Sequence, residues 1–90
     1  MATNCTVRVA SPLRSYTGGA ASVTAVGATV AELLADLDRR YPGMRFRMID
    51  EQDAIRPHIR LFVDTQEVRD LSTQVGTKQV LHLICALSGG

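Results

Sequence analysis

Apolar and polar residues alternate through Thr6-Val7-Arg8-Val9-Ala10-Ser11. Cys5, Val7 and Val9 share one face there, as the two-residue period of a strand requires. Pro12 ends the pattern, and Leu13 to Gly19 reads as a loop with Thr17-Gly18-Gly19 at its tip. Ser22-Val23-Thr24-Ala25-Val26 is rich in β-branched residues and predicts a second, antiparallel strand. The pattern then changes period. Val30, Leu33, Leu34, Leu37 and Tyr41 recur at helical spacing, and Thr29 with Glu32 has the spacing of a capping box. Arg39 and Arg40 suit the negative end of the helix dipole, and Pro42-Gly43 stops the helix, predicted over residues 30–41. Met44 to Arg56 predicts a short helical turn and then a loop, with Asp50-Glu51-Gln52-Asp53 as a solvated acidic turn. A strand follows from His58 to Asp64, with Ile59, Leu61 and Val63 on one side. Thr65-Gln66-Glu67 is a turn, Val68 begins a short return segment, and Leu71 and Val75 look like core anchors. The last strand is Val80 to Ala86, with Leu81, Leu83 and Cys85 under the helix and Val80, His82 and Ile84 pointing away.

The order strand, strand, helix, strand, short strand, strand predicts two layers. The nearly continuous apolar run of the last strand suits the centre of a sheet, beside a parallel first strand. The fold class is therefore α+β, a β-grasp arrangement: a mixed sheet of four to five strands with one main helix packed on one face. Residues 1–90 form a single domain, with 87–90 as a flexible tail.

Composition narrows the function. Ten basic residues against nine acidic give a net charge of +1, which disfavours a protein built to grip nucleic-acid phosphates. No apolar run reaches the roughly 18 residues of a membrane span. Met1-Ala2-Thr3-Asn4 does not read as a secretory signal. Cys5 and Cys85, at opposite ends of the chain, are too few for a zinc site or an iron–sulfur cluster, so no metal site is expected. They are expected to be reduced, buried core residues of a cytoplasmic protein.

The chain ends Leu81-His82-Leu83-Ile84, then Leu87, then Ser88-Gly89-Gly90. With the element order, this ending resembles the prokaryotic ubiquitin-like sulfur carriers, which include the small subunit of molybdopterin synthase and the thiamine-biosynthesis sulfur carrier. Arg56-Pro57-His58-Ile59-Arg60-Leu61-Phe62-Val63-Asp64 resembles the central strand of that family. Pro12-Leu13-Arg14 with Thr17-Gly18-Gly19 is most similar to the carriers that supply sulfur for cysteine synthesis. The chain departs from the family at two turns. It has Asp64-Thr65 where Asn-Gly is common, and Val75-Gly76-Thr77 where Asp-Gly-Asp is frequent.

The resemblance implies a carrier rather than an enzyme, with Gly90 as the reacting residue. A terminal carboxyl has a pKa of about 3.5, so it is a carboxylate at neutral pH and a poor electrophile. The family's answer is an E1-like adenylating enzyme that uses ATP and magnesium to join it to AMP. Sulfur from a persulfide or sulfide source then replaces AMP, giving a thiocarboxylate that an acceptor synthase consumes in cofactor or cysteine biosynthesis. The carrier itself binds no cofactor, nucleic acid or membrane. Glycine suits the last two positions because a backbone without Cβ can pass a narrow channel. Leu87 to Gly90 reach about 13–14 Å when extended. Partner contacts are expected from Gly89, Ser88 and Leu87, and from Ile84, His82 and Phe62 on the open sheet face, which would form an apolar docking patch with Val80. His82 otherwise reads as an ordinary surface histidine, and Arg39, Arg40, Arg45 and Arg47 as a solvated basic cluster. Two other functions use the same features: a ubiquitin-like modifier conjugated to lysines through its tail, and a β-grasp binding module to which the tail is irrelevant.

Overall fold

The computed structural model describes residues 4–85. Its elements are β1 (Asn4–Val9), a 3-10 helix (Ser11–Thr17), β2 (Ser22–Val26), α1 (Val30–Arg40), α2 (Met44–Met48), β3 (Ile59–Val63), β4 (Gln66–Val68) and β5 (Val80–Cys85). The five strands lie in the order β2-β1-β5-β3-β4. The central strand β5 runs parallel to its neighbour β1, with Val7 opposite Leu81 and Val9 opposite Leu83. All other pairs are antiparallel.

Period-two burial sets one face of the sheet against the helix. Cys5, Val7, Val9, Ile59, Leu61, Val63, Leu81 and Leu83 are all buried, and α1 contributes Val30, Leu33, Leu34 and Leu37 to the same core. Each such side chain contributes about 1.5–3 kcal/mol of transfer free energy. The entry to α1 accounts for its orphan backbone donors. Thr29 Oγ1 accepts from Glu32 N at 3.2 Å. Val30 N donates to Thr73 O, and Ala31 N to Leu71 O. The expected capping box is shifted by one residue, because Glu32 Oε1 accepts from Ala28 N at 2.7 Å instead of from Thr29. Gly27 is required at this crossing, since a Cβ there would stand 2.7 Å from Glu32 Cβ. Asp36, a buried carboxylate, takes Val26 N at 2.8 Å and Arg40 Nε at 2.7 Å, with Arg39 on its other oxygen. It thereby closes the end of edge strand β2 onto α1.

Five local readings need correction. Gln66 and Glu67, read as part of a turn, belong to β4, and the turn itself is Asp64-Thr65. The segment after Pro12 is a 3-10 helix rather than an open loop: proline stands in its first turn, Leu13 is buried, and Gly18 ends it in the left-handed region at φ 68°. Tyr41 caps α1 instead of extending it, with its N–H on Leu37 O. Cys5 is buried as expected, but Cys85 is only half-buried, since it ends β5 beside Arg47 of α2. Leu71 is half-buried, whereas Val75 is fully in the core. The expected Val80–Ala86 strand extends to Cys85, and Ala86 lies outside the described residues.

The β3–β4 turn shows how the chain manages without Asn-Gly. Asp64 takes the left-handed conformation at φ 55°, which aspartate tolerates better than most residues. Its backbone N–H donates to Val80 O, and its Oδ1 accepts from Val80 N at 3.0 Å, which ties the turn to the start of β5.

Candidate functional site

The face of the sheet opposite α1 carries no helix among the described residues. Strand alternation decides what it shows. From β5 come Val80, His82 and Ile84, from β3 Arg60 and Phe62, and from β1 Thr6 and Arg8. Phe62 stands opposite His82, which stands opposite Arg8, so the three form one row across β3, β5 and β1. Directly opposed residues have Cβ atoms about 4.5–5.5 Å apart. Arg60 is opposite Ile84 in the next row. Ile84 is 41% exposed, while Phe62, His82 and Val80 are half-buried by their neighbours. The face is thus an apolar centre with one protruding isoleucine.

Its rim is mainly positive. Arg8 and Arg60 are exposed, and Glu67 of β4 takes Arg60 at 3.2 Å and Arg69 at 3.8 Å. Along β5 from His82 to Cys85, a groove of about 490 Å³ is lined by Arg8, Ser11, Pro12, Arg14, His82 and Cys85, among others. Arg14 is held there by its Nε donating to Val9 O at 3.0 Å. The 3-10 helix therefore has a positional role: it carries Arg14 to the end of the sheet where β5 finishes.

The predicted residues Phe62, His82 and Ile84 are brought onto this one face. Leu87, Ser88, Gly89 and Gly90, with Gly90 as the expected reacting residue, lie outside the described residues. Burial pushes the Cys85 thiol above its ordinary pKa, with Arg47 opposing the shift. Cys5 is raised by burial as well, and its Sγ lies 3.5 Å from Gly76 O.

One exposed aromatic was not foreseen. Phe46 of α2 is 53% exposed, with the Arg56 guanidinium 4.5 Å from its ring centre and Arg56 Nε donating to Phe46 O at 2.7 Å. The Met44 and Met48 spacing, i and i+4, was the available signal: both are buried, which turns Phe46 outward. Among the described residues no group of three His, Cys, Asp or Glu side chains is placed to hold a metal. No described helix is long and apolar enough to cross a membrane.

A β-grasp sheet with one covered face, one open apolar-centred face and a central last strand defines a ubiquitin-like domain. The chain belongs to the ThiS family, which it matches over residues 7–90. It is similar to the sulfur carrier protein CysO of Mycobacterium tuberculosis, at 30% identity over 97% of this chain and 99% of that protein. Among solved structures it is similar to the BexX/CysO complex of Amycolatopsis orientalis, with a TM-score of 0.88 and 34% identity over 96% of this chain and 99% of that one. Small archaeal modifier protein 1 of Methanosarcina acetivorans shares the fold, with a TM-score of 0.84 at 18% identity over 100% of this chain and 99% of that one.

Proposed function

We propose that this chain carries sulfur as a thiocarboxylate on Gly90. The single observation that carries the reading is the family match running through residue 90, beyond a central strand that finishes at Cys85. In the first step a Gly90 carboxylate oxygen attacks the α-phosphate of ATP held with magnesium by an E1-like adenylating enzyme, and pyrophosphate leaves. In the second, sulfide attacks the acyl carbon: a C–S bond forms, the C–O bond to AMP breaks, and a thiocarboxylate remains. A persulfide donor gives an acyl disulfide first, and a second thiol then attacks the donor's sulfur, forms a disulfide with it and releases the thiocarboxylate. An acceptor synthase then takes the sulfur into cofactor or cysteine biosynthesis.

The carrier's own contribution is presentation. Gly89 and Gly90 offer no Cβ to a narrow channel. Phe62, His82 and Ile84 supply the docking centre, and the BexX/CysO complex supports a protein partner for a carrier of this kind.

ATP–pyrophosphate exchange with the adenylating enzyme tests this. The natural chain supports exchange, and Gly90→Ala loses most of it with an unchanged melting temperature. Equal exchange by the two forms would overturn the role of Gly90.

A further inference from the structure

An edge strand has backbone donors and acceptors with no ladder partner on one side, and proteins usually shield them. The two edges of this sheet differ in that respect. β4 is three residues long, and its Glu67 is paired with Arg60 and Arg69. β2 reads Ser22-Val23-Thr24-Ala25-Val26 and carries no lysine, no proline and no charge.

The register with β1 fixes which backbone groups of β2 point outward. Opposed residues in an antiparallel ladder alternate between pairs that exchange hydrogen bonds and pairs that do not. Arg8 is opposite Ser22, so Val9 is opposite Ala21, and Val9 N donates to Ala21 O at 2.8 Å. The bonded pairs are therefore Val9 with Ala21, Val7 with Val23 and Cys5 with Ala25. Ser22, Thr24 and Val26 turn their N–H and C=O away from β1, and Val26 N accordingly donates to Asp36 of α1. That donation closes one end of the outward row. Ala20 closes the other: its N–H donates to Thr17 O, and its carbonyl accepts from Thr17 Oγ1. Between these ends Ser22 and Thr24 are exposed, and their outward N–H and C=O groups bond to no other described residue.

A donor and an acceptor at each of two positions, i and i+2, are complementary to a copy of themselves. When two chains meet antiparallel about a twofold axis at Val23, Ser22 of each faces Thr24 of the other, and these groups alone satisfy one another. An axis at Thr24 would call on Val26 N, which Asp36 already holds. We propose that the edge of β2 is a self-association surface, on which the chain pairs with a second copy of itself in the register centred on Val23. Val23, half-buried against the core, then stands directly opposite its counterpart, and the small hydroxyl residues Ser22 and Thr24 oppose each other with no like charges in contact. The pairing joins two five-stranded sheets into one with both open faces on the same side. Phe62, His82 and Ile84 stay clear of the junction, because β1 lies between β2 and β5. Pairing of this kind is independent of what the chain carries.

Sedimentation equilibrium and amide NMR on the full chain test this. An interface this small is transient, so the natural chain is expected to move from monomer toward dimer mass between about 10 µM and about 1 mM. The Ser22 and Thr24 amides should shift with concentration, and the Val26 amide should not. Val23→Lys and Val23→Glu each set like charges opposite one another and are expected to weaken association at least about fivefold. An equimolar mixture of the two sets lysine against glutamate and is expected to recover it. Thr24→Pro removes an outward donor at a position where an edge strand tolerates proline, and is expected to give a folded monomer; if it does not fold, the charge pair decides alone. A natural chain that stays monomeric to about 1 mM would overturn the proposal. So would shifts confined to Phe62 and Ile84, which seat the second copy on the open face, or a lysine–glutamate mixture that associates no better than either variant alone.

Discussion

Neighbouring residues of β5 face opposite sides of the sheet, so substituting them should have opposite consequences. Leu83 is 2% exposed and packs in the core, whereas Ile84 is 41% exposed on the open face. Leu83→Ala removes buried methyl groups and leaves a cavity, at about 2–5 kcal/mol. In a domain this size each kcal/mol moves the melting temperature by roughly 4–8 °C, so a drop upwards of roughly 8 °C is expected. Ile84→Asp leaves the core intact. It costs about 1 kcal/mol in strand preference and surface packing, and its melting temperature should fall by roughly 4–8 °C. Binding should show the reverse. An aspartate on the proposed docking face loses an apolar anchor and buries an unpaired charge, a loss of about 2 kcal/mol or more. That corresponds to roughly thirtyfold in Kd for the adenylating enzyme. Leu83→Ala, measured well below its melting temperature, should bind nearly as the natural chain does. Differential scanning calorimetry beside calorimetric titration reads both quantities. If Ile84→Asp melts as early as Leu83→Ala and binds with unchanged affinity, the open face is not the docking surface.

Phe62→Ala should follow Ile84→Asp, with affinity falling more than stability in the same pair of measurements. Gly27→Ala should cost about 1–3 kcal/mol in denaturant unfolding, because its Cβ would press on Glu32 at 2.7 Å; an unchanged midpoint would refute the crowding. Asp36→Ala should lose about 2–4 kcal/mol, since it leaves Val26 N without its acceptor and Arg40 without its partner. Asp36→Asn should recover part of that by keeping an acceptor for Val26. Backbone donation from Ala54 and then Gln52 holds Asp50 below the usual carboxylate range. Its contribution to stability is therefore present above the ordinary aspartate value near 4 and lost as pH falls through the lower folded value. NMR titration should find Asp50 among the last carboxylates to protonate on acidification.

The fold was legible wherever one physical signal dominated. Alternation placed the two faces of β3 and β5, and period 3.6 with Thr29 and Glu32 placed α1 to within one residue. The pattern failed where tertiary contacts chose among local options. Nothing local told that Glu32 would reach Ala28 rather than Thr29, or that the chain from Ser11 would wind into a 3-10 helix around buried Leu13. Cys85 has the right parity for the core, but parity does not report where the cover ends. The open face was legible as a set, since Phe62, His82 and Ile84 follow from parity alone. The arginines that surround it were not: Arg8 stands opposite His82, and Arg14 joins it in the groove beside β5, only because β1 and β5 are parallel and the 3-10 helix turns back beside them.

Intact-mass analysis of the chain tests the central claim most directly, after incubation with the adenylating enzyme, ATP, magnesium and a sulfide source and, in parallel, after isolation from its own cells. The account predicts a species in which one oxygen of Gly90 has been exchanged for sulfur, reverting when the acceptor synthase is supplied. A Gly90 found only as carboxylate, or only in isopeptide linkage to lysines of other proteins, would contradict it.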